Sequence, residues 1–514
     1  MPKYAYCTAG LVVGLTACVL AGAQTPVLFE ELKLVPAQGA PSNRFGRSVD
    51  VSGPIGLVGE PFANGAAPNS GAAYLFDLRS GQQLSRLTQV AQPGDDSPAE
   101  DGFGEDVALG GDVALIGGPN NETEGVFSGA AYTFSVVDRE QTERLLPFSP
   151  PPFMEAGSAF GEHVSVSADG ARMIIGARGD TGEDDQGANG GGGAVYLYDN
   201  VAGTAIKVFA SDAAFADNFG TNVAISDEFA IASAPFNDDA GSSSGSVYLL
   251  DPDTGAELAI LRASDAAPQD LFGYQLAISG SMAAIATPFA DGAGGVDTGA
   301  VYLFDLITRE ELLKITLEGA APLEQFGFDV SMDGALIAIG SATGRAWVYD
   351  IEAGGFIAEL RPSDPAPEQF FATAVGIDGM RVIVGAEGDE ANGERSGAAY
   401  VYDLASLVPE GASRVASIDP GFFPRGNRFG AEVAVSVQDT DGTPVAGAIV
   451  TARAFGGIVQ TLRGTTDANG VVVLSSLRAS EAPFTYTVCV FNIVSELPYD
   501  ARANAQTCAS ASAP

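Results

Sequence analysis

The stretch Phe272–Asp305, FGYQLAISGSMAAIATPFADGAGGVDTGAVYLFD, decides the fold because most of the chain repeats its plan. It opens with Phe-Gly, alternates apolar and polar residues, and passes through a run of small residues. A loop rich in Gly and Asp then leads into a tyrosine-centred strand pattern. Alternation is typical of a half-buried strand, and repetition at a steady interval indicates an architecture built from one unit. The unit therefore predicts a small β-sheet that the chain makes several times.

Two motifs recur together and mark seven copies of this unit. The first is Phe-Gly, at Phe45, Phe103, Phe160, Phe219, Phe272 and Phe326, with a seventh copy at Phe370 in which Phe371 replaces the glycine. The second is Gly-x-x-aromatic, which begins at Gly71, Gly129, Gly193, Gly245, Gly299, Gly344 and Gly397. Each copy holds four short strand patterns, and four strands repeated radially make a propeller blade. The sequence predicts an all-β fold with a seven-bladed β-propeller over residues 24–403.

The order of the strand patterns also predicts how the ring closes. The seventh copy ends near Asp403 without a fourth strand, whereas Leu28–Leu34 precedes the first Phe-Gly and resembles the fourth strand of other copies. We expect this N-terminal segment to complete the last blade, because closing the ring covers sheet edges that would otherwise pair with other chains.

The repeat resembles the FG-GAP repeats of integrin α-subunit propellers and of their bacterial secreted relatives. The resemblance covers residues 28–403 and is specific for fold rather than for function. Calcium-binding relatives carry an Asp-x-Asp-x-Asp-Gly loop between the first two strands. The corresponding turns here are short, as at Ser279-Gly280 and Asp333-Gly334, so the family's calcium sites do not carry over.

A second domain follows the repeats. Residues 404–430 contain several prolines and glycines without a period and are predicted to be a linker. Residues 431–514 contain short strand patterns separated by turns, which predicts a small β-sandwich. The run from Val435 to Leu477 resembles bacterial Ig-like and carboxypeptidase-regulatory-like modules of surface proteins, which implies an Ig-like domain.

The composition restricts the possible partners. The net charge is −40, from 65 acids against 25 bases. So acidic a surface repels phosphate groups, which argues against nucleic acid and against direct binding to an anionic membrane. The charge indicates solubility in a salty medium, or alternatively affinity for divalent cations or a basic partner.

The N-terminus predicts export. Lys3 precedes the apolar run Leu11–Leu20, and Ala21-Gly22-Ala23 fits a cleavage site, so residues 1–23 are predicted to be a signal peptide. The alternative is a lipobox at Leu15–Cys18, which would leave Cys18 acylated and the protein tethered. Both predictions place the protein outside the cell, as secreted or cell-surface material. After cleavage only Cys489 and Cys508 remain, and an isolated pair in an exported chain predicts a disulfide.

One acidic loop is a candidate calcium site. Its acids are Asp180, Glu183, Asp184 and Asp185. Oxygen-rich loops can supply the six to eight ligands that Ca²⁺ takes, although this loop lacks a standard ligand spacing and a solvated loop is the default interpretation.

Catalytic residues are not evident in the sequence. The chain has a single histidine, His163, which excludes a multi-histidine metal site and leaves no marked triad. The sequence therefore predicts a non-enzymatic extracellular binding or adhesion scaffold that presents acidic loops. The alternatives are a calcium-stabilised surface module, and a secreted hydrolase or lyase that uses carboxylates in the propeller channel. The ligand, protein or glycan, is not specified by the sequence.

Overall fold

A computed structural model describes residues 25–90, 100–123, 126–148, 157–180, 192–366, 368–407, 412–425, 428–456, 460–480, 484–495, 504 and 508–513. The chain divides into two compact units, Met1–Tyr402 and Asp403–Pro514. Both are built from strands, and the only helix in the described part is a 3-10 turn, Leu404–Leu407. The prediction of an all-β protein is confirmed. No helix among the described residues is long and apolar enough to cross a membrane.

The first unit contains seven sheets. Six of them have four consecutive antiparallel strands, and the seventh has three consecutive strands and one from the N-terminal segment. Sheet 1 has Val49–Ser52, Ile55–Glu60, Ala72–Asp77 and Gln82–Leu87; sheet 2 has Val107–Gly110, Val113–Gly118, Ala130–Ser135 and Gln141–Leu145; sheet 3 has Val164–Val166, Arg172–Ala177, Ala194–Asp199 and Thr204–Val208. Sheet 4 has Val223–Ile225, Ala230–Ala234, Ser246–Leu250 and Glu257–Leu261; sheet 5 has Gln275–Ser279, Met282–Thr287, Ala300–Asp305 and Glu310–Ile315. Sheet 6 has Phe326–Asp333, Leu336–Ser341, Arg345–Asp350 and Gly355–Arg361; sheet 7 has Phe371–Asp378, Arg381–Ala386 and Ala398–Asp403.

The N-terminal segment supplies strands to two sheets. Leu32–Leu34 pairs antiparallel with Ala398–Asp403 and is the fourth strand of sheet 7, as predicted. Val27–Phe29, in contrast, pairs in parallel with Gly355–Arg361 and adds a fifth strand to sheet 6. The predicted single strand is therefore divided between two neighbouring sheets.

Contacts between sheets follow a cycle. The first strand of each sheet contacts the first strand of the next, and the first strand of sheet 7 contacts that of sheet 1. Phe45, which precedes sheet 1, forms a backbone bridge with Gly397 of sheet 7, as Phe103 does with Gly71. The bridge between Phe45 and Gly397 joins the first and seventh repeats in the same way that the bridge between Phe103 and Gly71 joins two consecutive repeats. The first and seventh repeats are therefore neighbours in space.

The Phe-Gly motif works through one ring contact and one backbone conformation. In every repeat the phenylalanine ring packs on the aromatic ring of the third strand, with centroids between 4.9 and 5.6 Å apart, as in Phe45–Tyr74 and Phe160–Tyr196. The glycine that follows has a positive φ, for example 93° at Gly104. A Cβ there would lie 2.5 Å from the Ala72 carbonyl oxygen, so the close approach of two repeats favours glycine.

The seventh repeat is in a different register from the one predicted. Phe371, not Phe370, is buried and packs on Tyr400 at 5.6 Å, and Ala372 takes the glycine position with a φ of 67°. Phe370 is 41% exposed. The prediction was wrong because two adjacent phenylalanines fit the motif equally well in the sequence, and only packing distinguishes them.

The second unit has two sheets. One contains Ser413–Arg425, Arg428–Asp439 and Val471–Ser480 in that order; the other contains Gln460–Thr465, Ile449–Gly456, Phe484–Val494 and Cys508–Ala513. Buried side chains of both sheets form one apolar cluster that includes Val433, Val435, Val450 and Val488. The predicted linker 404–430 was wrong for Ser413–Arg425, which is a strand. Pro420 and Pro424 are tolerated because this strand lies at the edge of its sheet.

Candidate ligand-binding site

The predicted calcium residues are only partly within the described chain. Asp180 is buried, accepts a hydrogen bond from the Tyr196 hydroxyl at 2.9 Å, and pairs with the Lys207 ammonium at 2.8 Å. Glu183, Asp184 and Asp185 lie outside the described residues, so the four-residue calcium site stays a prediction. Where the chain is described, no group of three or more His, Cys, Asp or Glu residues is placed to hold a metal ion.

The arrangement around Asp180 recurs in other repeats and is structural. Tyrosines of the third strands donate hydrogen bonds to carboxylates: Tyr74 to Glu60, Tyr248 to Asp212, Tyr302 to Asp265 and Tyr400 to Asp364, at 2.5 to 2.8 Å. A cation on the neighbouring fourth strand lies over the ring in several copies, as Lys314 does over Tyr302 at 5.0 Å. Asp180 is thus one member of a repeated tyrosine–carboxylate–cation cluster that joins strands.

The two candidate disulfide cysteines occupy paired backbone positions in the strand register. Cys489 and Cys508 are directly paired positions of the adjacent antiparallel strands Phe484–Val494 and Cys508–Ala513. Paired positions of antiparallel strands have Cα atoms 4.5 to 5.5 Å apart, and disulfides span Cα separations of 4.4 to 6.8 Å. The backbone therefore supports the predicted pair, and the disulfide itself stays a prediction.

One end of the seven sheets carries the long loops. In an antiparallel sheet, the loop after the second strand and the loop after the fourth strand lie at the same end, and we call this end the loop face. Six of the seven exposed phenylalanines in the described part of the first unit lie in these loops: Phe62, Phe127, Phe148, Phe215, Phe236 and Phe370. The opposite end instead exposes Val137, Val201 and Ile307 at tight hairpins.

A cavity of about 740 Å³ lies between the first strands and is lined by residues of all seven sheets. Its loop-face end, which we call the mouth, contains the residues that directly follow each Phe-Gly or Phe-Ala motif. These are Arg47, Glu105, Glu162, Thr221, Tyr274, Phe328 and Thr373. The side chain at this position varies between repeats while its neighbours stay similar, which is the signal that could have identified the mouth from the sequence.

Polar side chains deeper in the cavity join each sheet to the next. Asp50 accepts a hydrogen bond from the Leu109 N–H at 2.6 Å, and Asp106 accepts one from Val164 at 2.8 Å. The other junctions repeat this contact: Ser165 with Ile225, Asn222 with Leu276, Ser279 with Gly334, Asp329 with Val375, and Asp378 with Gly53. These contacts give backbone N–H groups on the inner edges a hydrogen-bond partner. A buried N–H group without a partner would lower the stability of the fold.

Two of these carboxyl groups have strongly shifted pKa values. Burial raises the pKa of Asp50 to about 7, although backbone N–H groups oppose the shift, and the charge of Asp106 adds to it. Burial likewise raises the pKa of Asp329 to about 7, against its hydrogen bonds from Val375 and Val330. Perturbed acids can mark a catalytic site. Here both carboxylates are occupied by backbone donors, so a role in joining sheets accounts for them.

His163 is held in a polar network inside the same cavity. Its Nδ1 lies 3.1 Å from the Asn222 amide nitrogen and 3.6 Å from Asp106. Burial alone would lower the pKa of His163, but the hydrogen bond and charge of Asp106 raise it overall. Within the described residues, no Ser, Thr or Cys side chain hydrogen-bonds to this imidazole, so the geometry does not assemble a hydrolytic triad.

The mouth has two dissimilar walls. One is aromatic: Tyr274 packs between Phe289 and Phe328, with centroids 5.5 and 5.6 Å away, and Phe236, which is 41% exposed, also lines the cavity. The other wall carries two ion pairs, Arg47 with Glu105 at 2.8 Å and Arg178 with Glu162. Burial by itself would lower the pKa of Arg47, but the charges of Glu105 and Glu387 raise it, so this guanidinium is a permanent cation.

Comparison with known families agrees with the repeat pattern. The model of the FG-GAP repeat matches residues 28–76, 93–134, 204–250, 256–304 and 355–402. Sheets 3 and 6 lie largely outside these matches, yet they have the same four strands and the same ring contact as the matched repeats. The described geometry and the family match together show that five stretches of this chain are FG-GAP repeats.

Proposed function

We propose that the chain is a non-enzymatic extracellular scaffold in which a seven-bladed β-propeller binds a protein partner through its loop face. The cyclic contacts between first strands support a propeller of seven blades, as does the bridge between Phe45 and Gly397. The FG-GAP repeats support a propeller-type protein-binding scaffold.

The observation that carries this proposal is the position of the exposed aromatic side chains. Phe62, Phe236 and Phe370 are each 41 to 42% exposed on the loop face, and Phe215 is 83% exposed in the loop before sheet 4. Aromatic residues are enriched at protein interfaces, where a few buried anchor residues carry most of the binding energy, whereas Lys, Glu and Asp are depleted. In a chain with a net charge of −40, exposed apolar rings concentrated at one end mark the surface that excludes water on binding.

The second unit supports an extracellular role. Two sheets that share one apolar core fit the proposed Ig-like module of surface proteins. The proposed signal peptide, residues 1–23, and the alternative lipid attachment at Cys18 both lie outside the described residues. Export and a partner at the cell surface are therefore parts of the proposal that need a localisation experiment, such as fractionation of the native host with and without inhibition of signal cleavage.

The test compares two variants with the same number of substitutions. One carries Phe62→Ser, Phe236→Ser and Phe370→Ser on the loop face; the other carries Val137→Ser, Val201→Ser and Ile307→Ser at the opposite end. Purified wild type and variants are crosslinked to intact host cells, and captured surface proteins are identified. We expect the loop-face variant to lose the partner that the wild type and the opposite-end variant retain. Equal capture by all three folded proteins would contradict the proposal.

The calcium-stabilised alternative has a separate test. If the loop that follows Asp180 binds Ca²⁺ only in the folded state, the thermal midpoint rises with Ca²⁺ relative to EDTA. An unchanged midpoint at millimolar Ca²⁺ would exclude that alternative. The enzyme alternative predicts turnover of glycan, peptide or ester substrates that is lost when cavity carboxylates such as Asp106 are replaced.

A further inference from the structure

The mouth of the cavity presents aromatic rings and ion-paired side chains that reach solvent. We propose that it binds the end of a neutral oligosaccharide, with Tyr274, Phe328 and Phe236 as the stacking wall and the ion pairs Arg47–Glu105 and Arg178–Glu162 as the hydrogen-bonding wall. This goes beyond binding of a protein partner by the surrounding loops, because it assigns a separate ligand class to the cavity.

The aromatic wall fits the apolar face of a sugar. The rings of Tyr274 and Phe328 are tilted by 49° to each other with centroids 5.6 Å apart, and both side chains line the cavity. Aromatic faces carry partial negative charge, and the C–H groups on one side of a pyranose ring carry partial positive charge, so the two surfaces attract. Phe289 supports Tyr274 from behind at 5.5 Å and fixes the direction of its ring.

The opposite wall presents fixed donors and acceptors whose charges are paired within the protein. Arg47 and Glu105 are 38% and 23% exposed, and Arg178 and Glu162 are 43% and 30% exposed, so both ion pairs reach solvent at the mouth. The two pairs carry two positive and two negative charges, and Glu387, 3.8 Å from Arg47, adds a third acid beside them. Planar, pre-oriented polar groups of this kind bind hydroxyl groups by paired hydrogen bonds, and they fix the orientation of a ligand in an otherwise apolar pocket.

Charged ligands fit less well. A phosphate or carboxylate ligand would enter a cavity whose deeper wall holds Asp50, Asp106 and Asp329. An ammonium group at the mouth would need a carboxylate there that is not already paired. The acids at the mouth are paired with guanidinium groups, and these deeper acids accept backbone N–H groups. The neutral, hydroxyl-rich ligand is the class that gains from both walls without breaking either set of contacts.

Two further features agree with this assignment. The cavity volume of about 740 Å³ falls within the range of roughly 300–1,000 Å³ that small-molecule sites occupy. The Tyr274 hydroxyl has no hydrogen-bond partner among the described residues, although the ring itself lines the cavity. A sugar hydroxyl would supply that partner.

The experiment measures binding of cellohexaose, mannohexaose and chitohexaose by calorimetry, with hexalysine as the cationic competitor. We expect at least one of the three neutral sugars to bind, with saturation-transfer signals on its ring C–H protons. Tyr274→Phe removes one hydrogen bond and is expected to weaken binding about 2- to 10-fold. Phe236→Ala is expected to weaken it further and to quench part of the saturation transfer. Phe215→Ala, also on an exposed loop but not lining the cavity, serves as the matched control and is expected to bind as the wild type.

Three results would overturn the inference. One is that no neutral sugar binds with a dissociation constant below about 1 mM, which corresponds to about −4 kcal/mol. Another is binding of hexalysine alone, which would assign the cavity to a basic peptide. The third is unchanged sugar affinity in both Tyr274→Phe and Phe236→Ala, which retain the buried contacts of the fold. Loss of the protein partner in the loop-face variant is a separate measurement, so either proposal can fail alone.

Discussion

Replacing Lys207 by methionine tests whether the repeated tyrosine–carboxylate–cation clusters stabilise the first unit. Lys207 pairs with Asp180, and the two side chains are 12% and 0% exposed. Lys314 holds the same place in sheet 5 and pairs with Asp265, from the connection before that sheet, at nearly the same distance, 2.7 Å, but these side chains are 29% and 53% exposed. The exposed pair Lys314–Asp265 is therefore a control for the buried pair Lys207–Asp180.

The expected difference follows from burial. Removing one partner of a buried pair costs about 3–5 kcal/mol, because the remaining charge loses its compensation, whereas an exposed pair contributes about 0.2–1 kcal/mol. The entropy of unfolding is about 2.1 cal/mol/K per residue, so a unit of roughly 380 residues has about 0.8 kcal/mol/K. Lys207→Met should therefore lower the melting midpoint by about 4–6 °C, and Lys314→Met by about 1 °C or less.

Differential scanning calorimetry at neutral pH gives both midpoints. The double variant Asp180→Asn with Lys207→Met should recover part of the loss, because no unpaired charge is left buried. Equal shifts for the two lysine variants would refute the argument, since burial would then not control the contribution of the pair. A shift below about 2 °C for Lys207→Met would do the same.

Other predictions concern pH, backbone strain and the cysteine pair. The raised pKa of Asp329 means that the folded state binds a proton more tightly than the unfolded state, so stability falls as the pH rises from about 4 through 7; Asp329→Asn should flatten this decline in melting profiles between pH 5 and 8.5. Gly104→Ala should destabilise by more than 2 kcal/mol in urea titrations, because its Cβ meets backbone at 2.5 Å, whereas Gly53→Ala, with no atom within 4 Å, should cost about 1 kcal/mol. A thiol assay on denatured, unreduced protein should find neither Cys489 nor Cys508 reactive, and two free thiols would remove the disulfide.

The number and order of the repeats could be predicted because each marker performs a fixed task. Phe-Gly supplies the buried ring and the positive-φ position where two repeats meet. Its place within each repeat is therefore fixed. The register at Phe370 could not be predicted, because the choice between two adjacent phenylalanines depends on which ring reaches Tyr400. The strand Ser413–Arg425 was missed because prolines suggest a linker unless an edge position is known.

The candidate site was harder to predict than the fold. Acidic residues occur throughout the sequence, and nothing local distinguishes Asp180, which is buried against Lys207, from a solvated loop acid. The mouth depends on positions that follow the Phe-Gly motifs of seven distant repeats, so its aromatic and charged walls exist only after the sheets assemble. Because the residues of the mouth are far apart in the sequence, they form no contiguous sequence motif.

The fourth strand of sheet 7 comes from the beginning of the chain, and this has a consequence for biogenesis. Leu32–Leu34 is synthesised first, yet its partner strand Ala398–Asp403 follows about 365 residues later. At a synthesis rate of 5–20 residues per second the delay is about 20–70 s, during which Leu32–Leu34 has no partner strand. A chain whose synthesis stops before residue 398 therefore keeps Leu32–Leu34 as an unpaired strand, which is free to pair with other chains.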